Sequence, residues 1–315
     1  MAIAEQKFDA RKLLRPTADN RNEAVERIAW GLRKRGVDNE AKEWVLGKIF
    51  HGIEQANAYP LTVMAHEHAM AGTLNLLTGS HGWQDFTLAV NYACHAVVVR
   101  SLSERPYTDP MSGGDQALHL GFLALARCDE SVARPWAHRL YNLFFHRGIE
   151  DDIGDGPVFA FSRVLLQAYC HRRWPGPEAL TPELEGFLPL LNAVGDANVF
   201  KVALLDYCDW RLSRAYGFKD SLAKKSDSEV KYGYFIRQWI AICPFELLAL
   251  QSVCREVTGR MLDLDIDHPL LRTPLMSPPV FGELVTDVLL DQVTETGQRQ
   301  FGERWQPEAL VPLPE

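Results

Sequence analysis

A chain of 315 residues that is 47% hydrophobic can bury a large core, as one extended helical domain or as two packed halves, which excludes a disordered chain. Its 33 Lys and Arg against 41 Asp and Glu leave a formal charge of -8, which argues against nucleic acid or an anionic membrane as a direct partner and for a basic one. The six cysteines form no C-x-x-C pair and no secretory leader pattern opens the chain, so free thiols in a reducing, cytoplasmic setting are expected.

No apolar alternation is long enough to build a sheet, so the expected fold is all-α, a multi-helix bundle or stacked helical hairpins. Residues 1–20 mix charges with few apolar anchors and read as a loosely held arm. An N-terminal helical half is expected over 21–173. In it, Asn22 caps a helix over 23–35 with Ala24, Ile28 and Leu32 on one face, and a second helix starts at Asn39 with Trp44, Ile49 and Ile53 inward. Pro60 suits the first turn of a third helix, ending near Gly79. The segment 85–102 is apolar on all sides and belongs at the centre of the bundle, yet its charge-free run is well short of the roughly 20 residues of a membrane span. Helices over 116–127 and 131–145, joined by a short turn, read as an antiparallel hairpin, followed by another buried helix over 158–171.

Trp174-Pro175-Gly176-Pro177 marks a boundary, with a C-terminal helical half over 178–315. Helices are expected over 182–193 and 197–216, then a charged connector over 219–231. The stretch from Ile236 to Leu275 is the densest apolar region of this half. Pro244 starts a helix there and Gly259 ends it, Leu247, Leu250 and Cys254 recur at i, i+3, i+7, and Glu246 lies in the first turn, where the helix dipole favours a carboxylate. Prolines then impose an extended course over 261–279, and a last helix is expected over 281–297.

There is no P-loop, no Rossmann glycine pattern and no G-x-S-x-G, so no catalytic residue, cofactor or metal ligand is expected. Asp151, Asp152 and Asp155 spell D-D-x-x-D, which resembles the magnesium and diphosphate motif of class I terpenoid synthases and implies a metal-dependent enzyme as the alternative reading. Gly154, Gly156 and Pro157 break the helix such a motif needs, and the second metal motif is missing, which leaves a solvated acidic turn as the other reading. Asp263, Asp265 and Asp267 fit three positions of a calcium loop, but His268 and Pro274 stand where Gly and Glu are required. Glu283, Asp287, Asp291 and Glu295 recur every four residues and read as an acidic ridge on the last helix, opposite Leu284, Val288 and Leu289. Like charges at that spacing cost about 0.2–0.5 kcal/mol per pair. The ridge is therefore either a solvated face or a docking surface for a basic protein.

The run Ile242-Cys243-Pro244-Phe245-Glu246-Leu247-Leu248-Ala249-Leu250, with Asp267-His268-Pro269-Leu270-Leu271 after it, resembles the all-helical immunity proteins of bacterial polymorphic-toxin and type VI secretion systems. That resemblance implies a cytoplasmic protein without catalysis that binds a cognate toxin, often a nuclease, and blocks or deforms its active site. Acids are the expected contacts for a basic toxin: Glu150, Asp151, Asp152 and Asp155 in one loop, Asp263, Asp265 and Asp267 in the proline-rich run, and the ridge of Glu283, Asp287, Asp291 and Glu295.

Overall fold

Proline and glycine punctuate the apolar stretches, and helices fill the space between them. The protein is described by a computed structural model covering residues 58–102, 114–145, 156–214 and 238–307. Its α-helices within these residues are α1 (Tyr59–Leu77), α2 (Trp83–Leu102), α3 (Gly114–Arg127), α4 (Glu130–Phe145), α5 (Pro157–His171), α6 (Phe187–Asn192), α7 (Ala197–Ser213), α8 (Gln238–Ile242), α9 (Phe245–Thr258) and α10 (Val288–Phe301). Among the described residues the only β-type pairing is a bridge between Cys128 and Phe281, so the fold is all-α as expected. None of these helices is long and apolar enough to cross a membrane.

Prolines open α1 and α5, where the missing N–H has no helical partner to lose. Pro244 precedes α9, and Gly259 ends it with a φ of 73°, a left-handed turn that an L side chain resists. Fourteen of the twenty residues of α2 are buried, and this helix packs against α1, α3 and α4. The α1–α2 contact depends on two glycines: a Cβ on Gly82 would lie 2.2 Å from the Gly72 carbonyl oxygen, inside any tolerable contact. Later in the chain, α9 packs on α3 and α5, so the buried side chains of the described residues form one cluster that runs from Ala58 to Trp305. Aromatic contacts knit it together, with Phe86 edge-on to Phe245 at 5.3 Å and Phe161 stacked on Phe187 at 4.2 Å.

A charged hub lies inside this core. Arg211 and Glu246 are both fully buried, and the Arg211 Nε donates to Glu246 Oε1 at 2.5 Å. The rest of the guanidinium donates to the carbonyls of Ala241 at 2.6 Å, Ile240 at 2.6 Å and Cys243 at 3.2 Å. These carbonyls belong to the end of α8 and the break before α9, so a cation supplies the donors that the interrupted helix lacks. Tyr207, one turn before Arg211, donates its hydroxyl to the same Glu246 oxygen at 2.8 Å. His119 Nδ1 comes within 3.8 Å of Glu246 Oε2, but burial, then the Arg211 charge, lower the His119 pKa to about 3. The ring is therefore neutral at pH 7, and the contact is not a salt bridge.

Several sequence expectations need correction. The last helix begins at Val288 and not at 281, because residues before it run extended: the Phe281 N–H donates to the Arg127 carbonyl at 2.7 Å and Asn91 Nδ2 donates to the Val285 carbonyl at 3.0 Å. Instead of one helix over 182–193 there is a short turn at Pro182–Leu184, then α6, then another turn at Ala193–Gly195. Glu185 sits between them at a positive φ of 44° and Gly186 lies against the Trp210 ring, which stops a continuous helix. The expected helices over 23–35 and from Asn39, the acidic loop at 150–155 and the connector 219–231 lie outside the described residues.

Candidate functional site

The helix α7 is two-faced. Asp196 caps it, its carboxylate accepting from the N–H groups of Asn198 at 2.9 Å and Val199 at 3.2 Å. Phe200, Ala203, Leu204, Tyr207, Cys208, Arg211 and Leu212 turn inward and are buried. On the outer face, Val199, Val202 and Leu205 follow at i, i+3, i+6 with exposures of 54%, 64% and 45%. Isolated exposed apolar residues are ordinary, but three on one stripe form a patch. The acids Asp206 and Asp209 are exposed on the same helix.

Beside α7 runs the extended segment 261–268, whose side chains alternate as in a strand. Leu262 and His268 are buried, Leu264 and Ile266 half-buried, and Met261, Asp263, Asp265 and Asp267 exposed. It is tied down at several points: Gln251 Nε2 donates to the Leu262 carbonyl at 2.7 Å, Lys201 of α7 pairs with Asp263 at 2.7 Å, and His268 Nε2 approaches Asp209 of α7 at 3.7 Å. The Leu270 N–H donates to His268 Nδ1 at 3.2 Å, which places the proton of the neutral ring on Nε2, facing Asp209. Burial lowers the His268 pKa, although Asp209 and Asp267 pull the other way. The Lys201 hydrogen bond holds Asp263 below the usual carboxylate range.

These contacts change the reading of the three aspartates. Asp263 has Lys201 and Asp267 has Arg272 at 2.9 Å, so two of them carry their own cations. Asp265 is the member of the trio without an ion pair among the described residues.

The expected ridge comes apart. Glu283 is exposed but precedes the helix, and Asp287 is the N-cap of α10, its Oδ1 accepting from the Leu290 N–H at 2.9 Å. The Tyr92 hydroxyl also donates to both Asp287 oxygens at 2.9 Å, and burial followed by the Asp287 charge raises the Tyr92 pKa. Asp287 is thus occupied in holding α10 to α2. Val288, expected on the inner face, is 72% exposed. Asp291 and Glu295 are exposed and stand at a cleft of about 610 Å³, with His95, Trp136, Arg139 and Trp305 also in its wall. Glu150, Asp151, Asp152 and Asp155 lie outside the described residues.

The outer stripe of α7 was not singled out in the sequence, although its signal is present. Val199, Val202 and Leu205 are surplus to the apolar positions that α7 needs for its inner face. Among the described residues, no group of three or more His, Cys, Asp or Glu is placed to hold a metal ion. Comparison with known protein families, with curated proteins and with solved structures returns no match.

Proposed function

We propose that this chain is an inhibitory binding protein of the immunity type, which neutralises a cognate bacterial toxin by docking, without catalysis, through the outer face of α7 and the adjoining segment 261–268. The observation that carries the reading is the exposed stripe of Val199, Val202 and Leu205 bordered by Asp206, Asp209 and Asp265. An apolar centre with a charged rim is the usual anatomy of a protein interface. The rim is acidic, so the matching partner surface is basic, as on a nuclease, and opposite charge steers encounter and excludes unsuited partners. Both elements are held before the partner arrives: α7 by its capped start and buried inner face, the segment by Leu262 and His268. Little ordering entropy then opposes binding.

Co-expression with the product of a neighbouring secreted-toxin gene tests this. The wild-type chain should restore growth, and the double variant Val202→Lys, Leu205→Lys should not, while Val280→Lys, at another exposed apolar position, should act as wild type. Titration calorimetry should show the wild-type affinity falling as salt rises. Full rescue by the double variant would remove α7 as the docking face, and no rescue by the wild type would remove the immunity reading.

A further inference from the structure

Two packed helices end at one place, and each brings an arginine there. α3 ends on Arg127, the last turn of α9 carries Arg255, and the two helices lie against one another. Both arginines line a cleft of about 650 Å³, and residues 261–266 line it too. A helix C-terminus favours a nearby cation, which accounts for either arginine alone. It does not account for two in one cleft, since like charges repel unless an anion lies between them.

Asp265 also lines the cleft, but no ion pair joins it to Arg127 or Arg255 among the described residues. Neither the Arg127 nor the Arg255 side chain has an ion pair or hydrogen bond there, and the Arg127 Nε is shut off from solvent without an acceptor. Burial, and then the Arg255 charge, lower the Arg127 pKa. The third arginine of the cleft, Arg272, is held by Asp267 at 2.9 Å, and the nearby Asp263 is held by Lys201 at 2.7 Å. Ser252 adds a hydroxyl to the same cleft.

We propose that this cleft is an oxyanion site, taking a phosphate group, free or on a small organic molecule, between Arg127 and Arg255. Guanidinium groups present paired N–H donors that match the oxygens of a phosphate. A bound phosphate relieves the repulsion between the two arginines. The volume lies within the range of about 300–1,000 Å³ typical of small-molecule sites. It exceeds what phosphate alone fills, and Leu248 and Leu264 offer apolar wall to the remainder of an ester. The cleft shares residues 261–266 with the proposed docking surface but takes none of its wall from α7.

The test is calorimetric titration and thermal shift with inorganic phosphate and with ribose 5-phosphate, against sodium chloride at matched ionic strength. Phosphate should bind saturably and raise the melting temperature. Arg255→Gln, at an exposed position, should fold as wild type and bind at least about tenfold more weakly, a loss of about 1.4 kcal/mol. Arg260→Gln, whose residue is not part of the cleft wall, should bind as wild type. Tighter binding of ribose 5-phosphate identifies an organic ester as the ligand, and equal binding identifies the free anion. An identical response to chloride, no binding of either phosphate, or wild-type affinity in Arg255→Gln would overturn the assignment.

Discussion

Removing half of the buried ion pair should be among the most damaging single changes in the core. The Glu246 carboxylate accepts from Arg211 at 2.5 Å and from Tyr207 at 2.8 Å, with all three side chains buried. Losing one partner of such a pair costs about 3–5 kcal/mol, because the other charge stays in a poorly solvating interior. Glu246→Gln keeps an acceptor at the same place and should fall near about 3 kcal/mol. Arg211→Met also strips the donors from the carbonyls of Ile240, Ala241 and Cys243, and should fall near about 5 kcal/mol. At roughly 2 °C per kcal/mol for a chain of this size, the melting temperature should drop by roughly 6 and 10 °C. Urea unfolding followed by circular dichroism and tryptophan fluorescence measures the same quantities as shifts in midpoint at constant slope. The double variant Arg211→Met, Glu246→Leu removes both charges, so its cost should be well below the sum of the single Arg211→Met and Glu246→Leu costs. A Glu246→Gln change of under about 1 kcal/mol, or strict additivity in the double variant, would refute a coupled buried pair.

Acid should weaken the fold through His119. Its folded pKa of about 3 lies below the ordinary 6.5, so the unfolded chain binds the proton first, and stability falls as pH drops from 6.5 toward 3 by up to about 1.4 kcal/mol per pH unit. His119→Gln should flatten that part of the stability profile, and an unchanged slope would show that His119 is not the group responsible. The change Gly297→Ala would place a Cβ 2.3 Å from the Trp305 ring, so it should cost about 1–3 kcal/mol and shift tryptophan emission, and an unaltered melting temperature would argue against that packing. The cysteines are free, and burial pushes Cys128 and Cys208 up to about 12, so native protein at pH 8 should resist iodoacetamide, with alkylation of all six thiols only after unfolding. Rapid native alkylation of Cys208, read by mass spectrometry, would contradict its burial.

Helix limits were legible where the chain carries its own punctuation. Pro60, Pro244 and Gly259 each mark an observed end, because their effect is on the local backbone and needs no partner. The start of the last helix shows the opposite case. Four-residue spacing of Glu283, Asp287, Asp291 and Glu295 mimics a helical ridge, but a distant carbonyl on Arg127 and a distant amide on Asn91 hold residues 281–285 extended. Asp287 did carry a readable signal, as a capping residue just before Leu289 and Leu290. Arg211 and Glu246 stand 35 positions apart, and no local pattern joins them. Glu246 has eight apolar neighbours in the run from Ile242 to Leu250, an isolation that points to a buried partner as much as to the helix dipole. The acidic run at 263–267 was readable as a charge pattern, whereas its neutralisation by Lys201 and Arg272 depends on the fold.

The buried hub and the proposed docking face are opposite sides of one helix. Tyr207 and Arg211, four residues apart, fix the inner side of α7 to the α8–α9 break, and the same helix presents Val199, Val202 and Leu205 outward. The outer stripe is therefore oriented by contacts that never touch a partner. Moderate loosening of the hub should lower partner affinity through the cost of re-ordering α7, without altering any interface residue. Tyr207→Phe separates the two contributions, since it removes one hydroxyl to Glu246 while leaving the ion pair and the outer face intact. A typical hydrogen bond of about 1 kcal/mol sets the size of the expected loss in stability. If partner affinity, measured where the variant is fully folded, falls while the salt dependence of binding stays unchanged, the hub acts by holding the face in place. An unchanged affinity would mean that the partner recognises α7 regardless of how firmly its inner side is held.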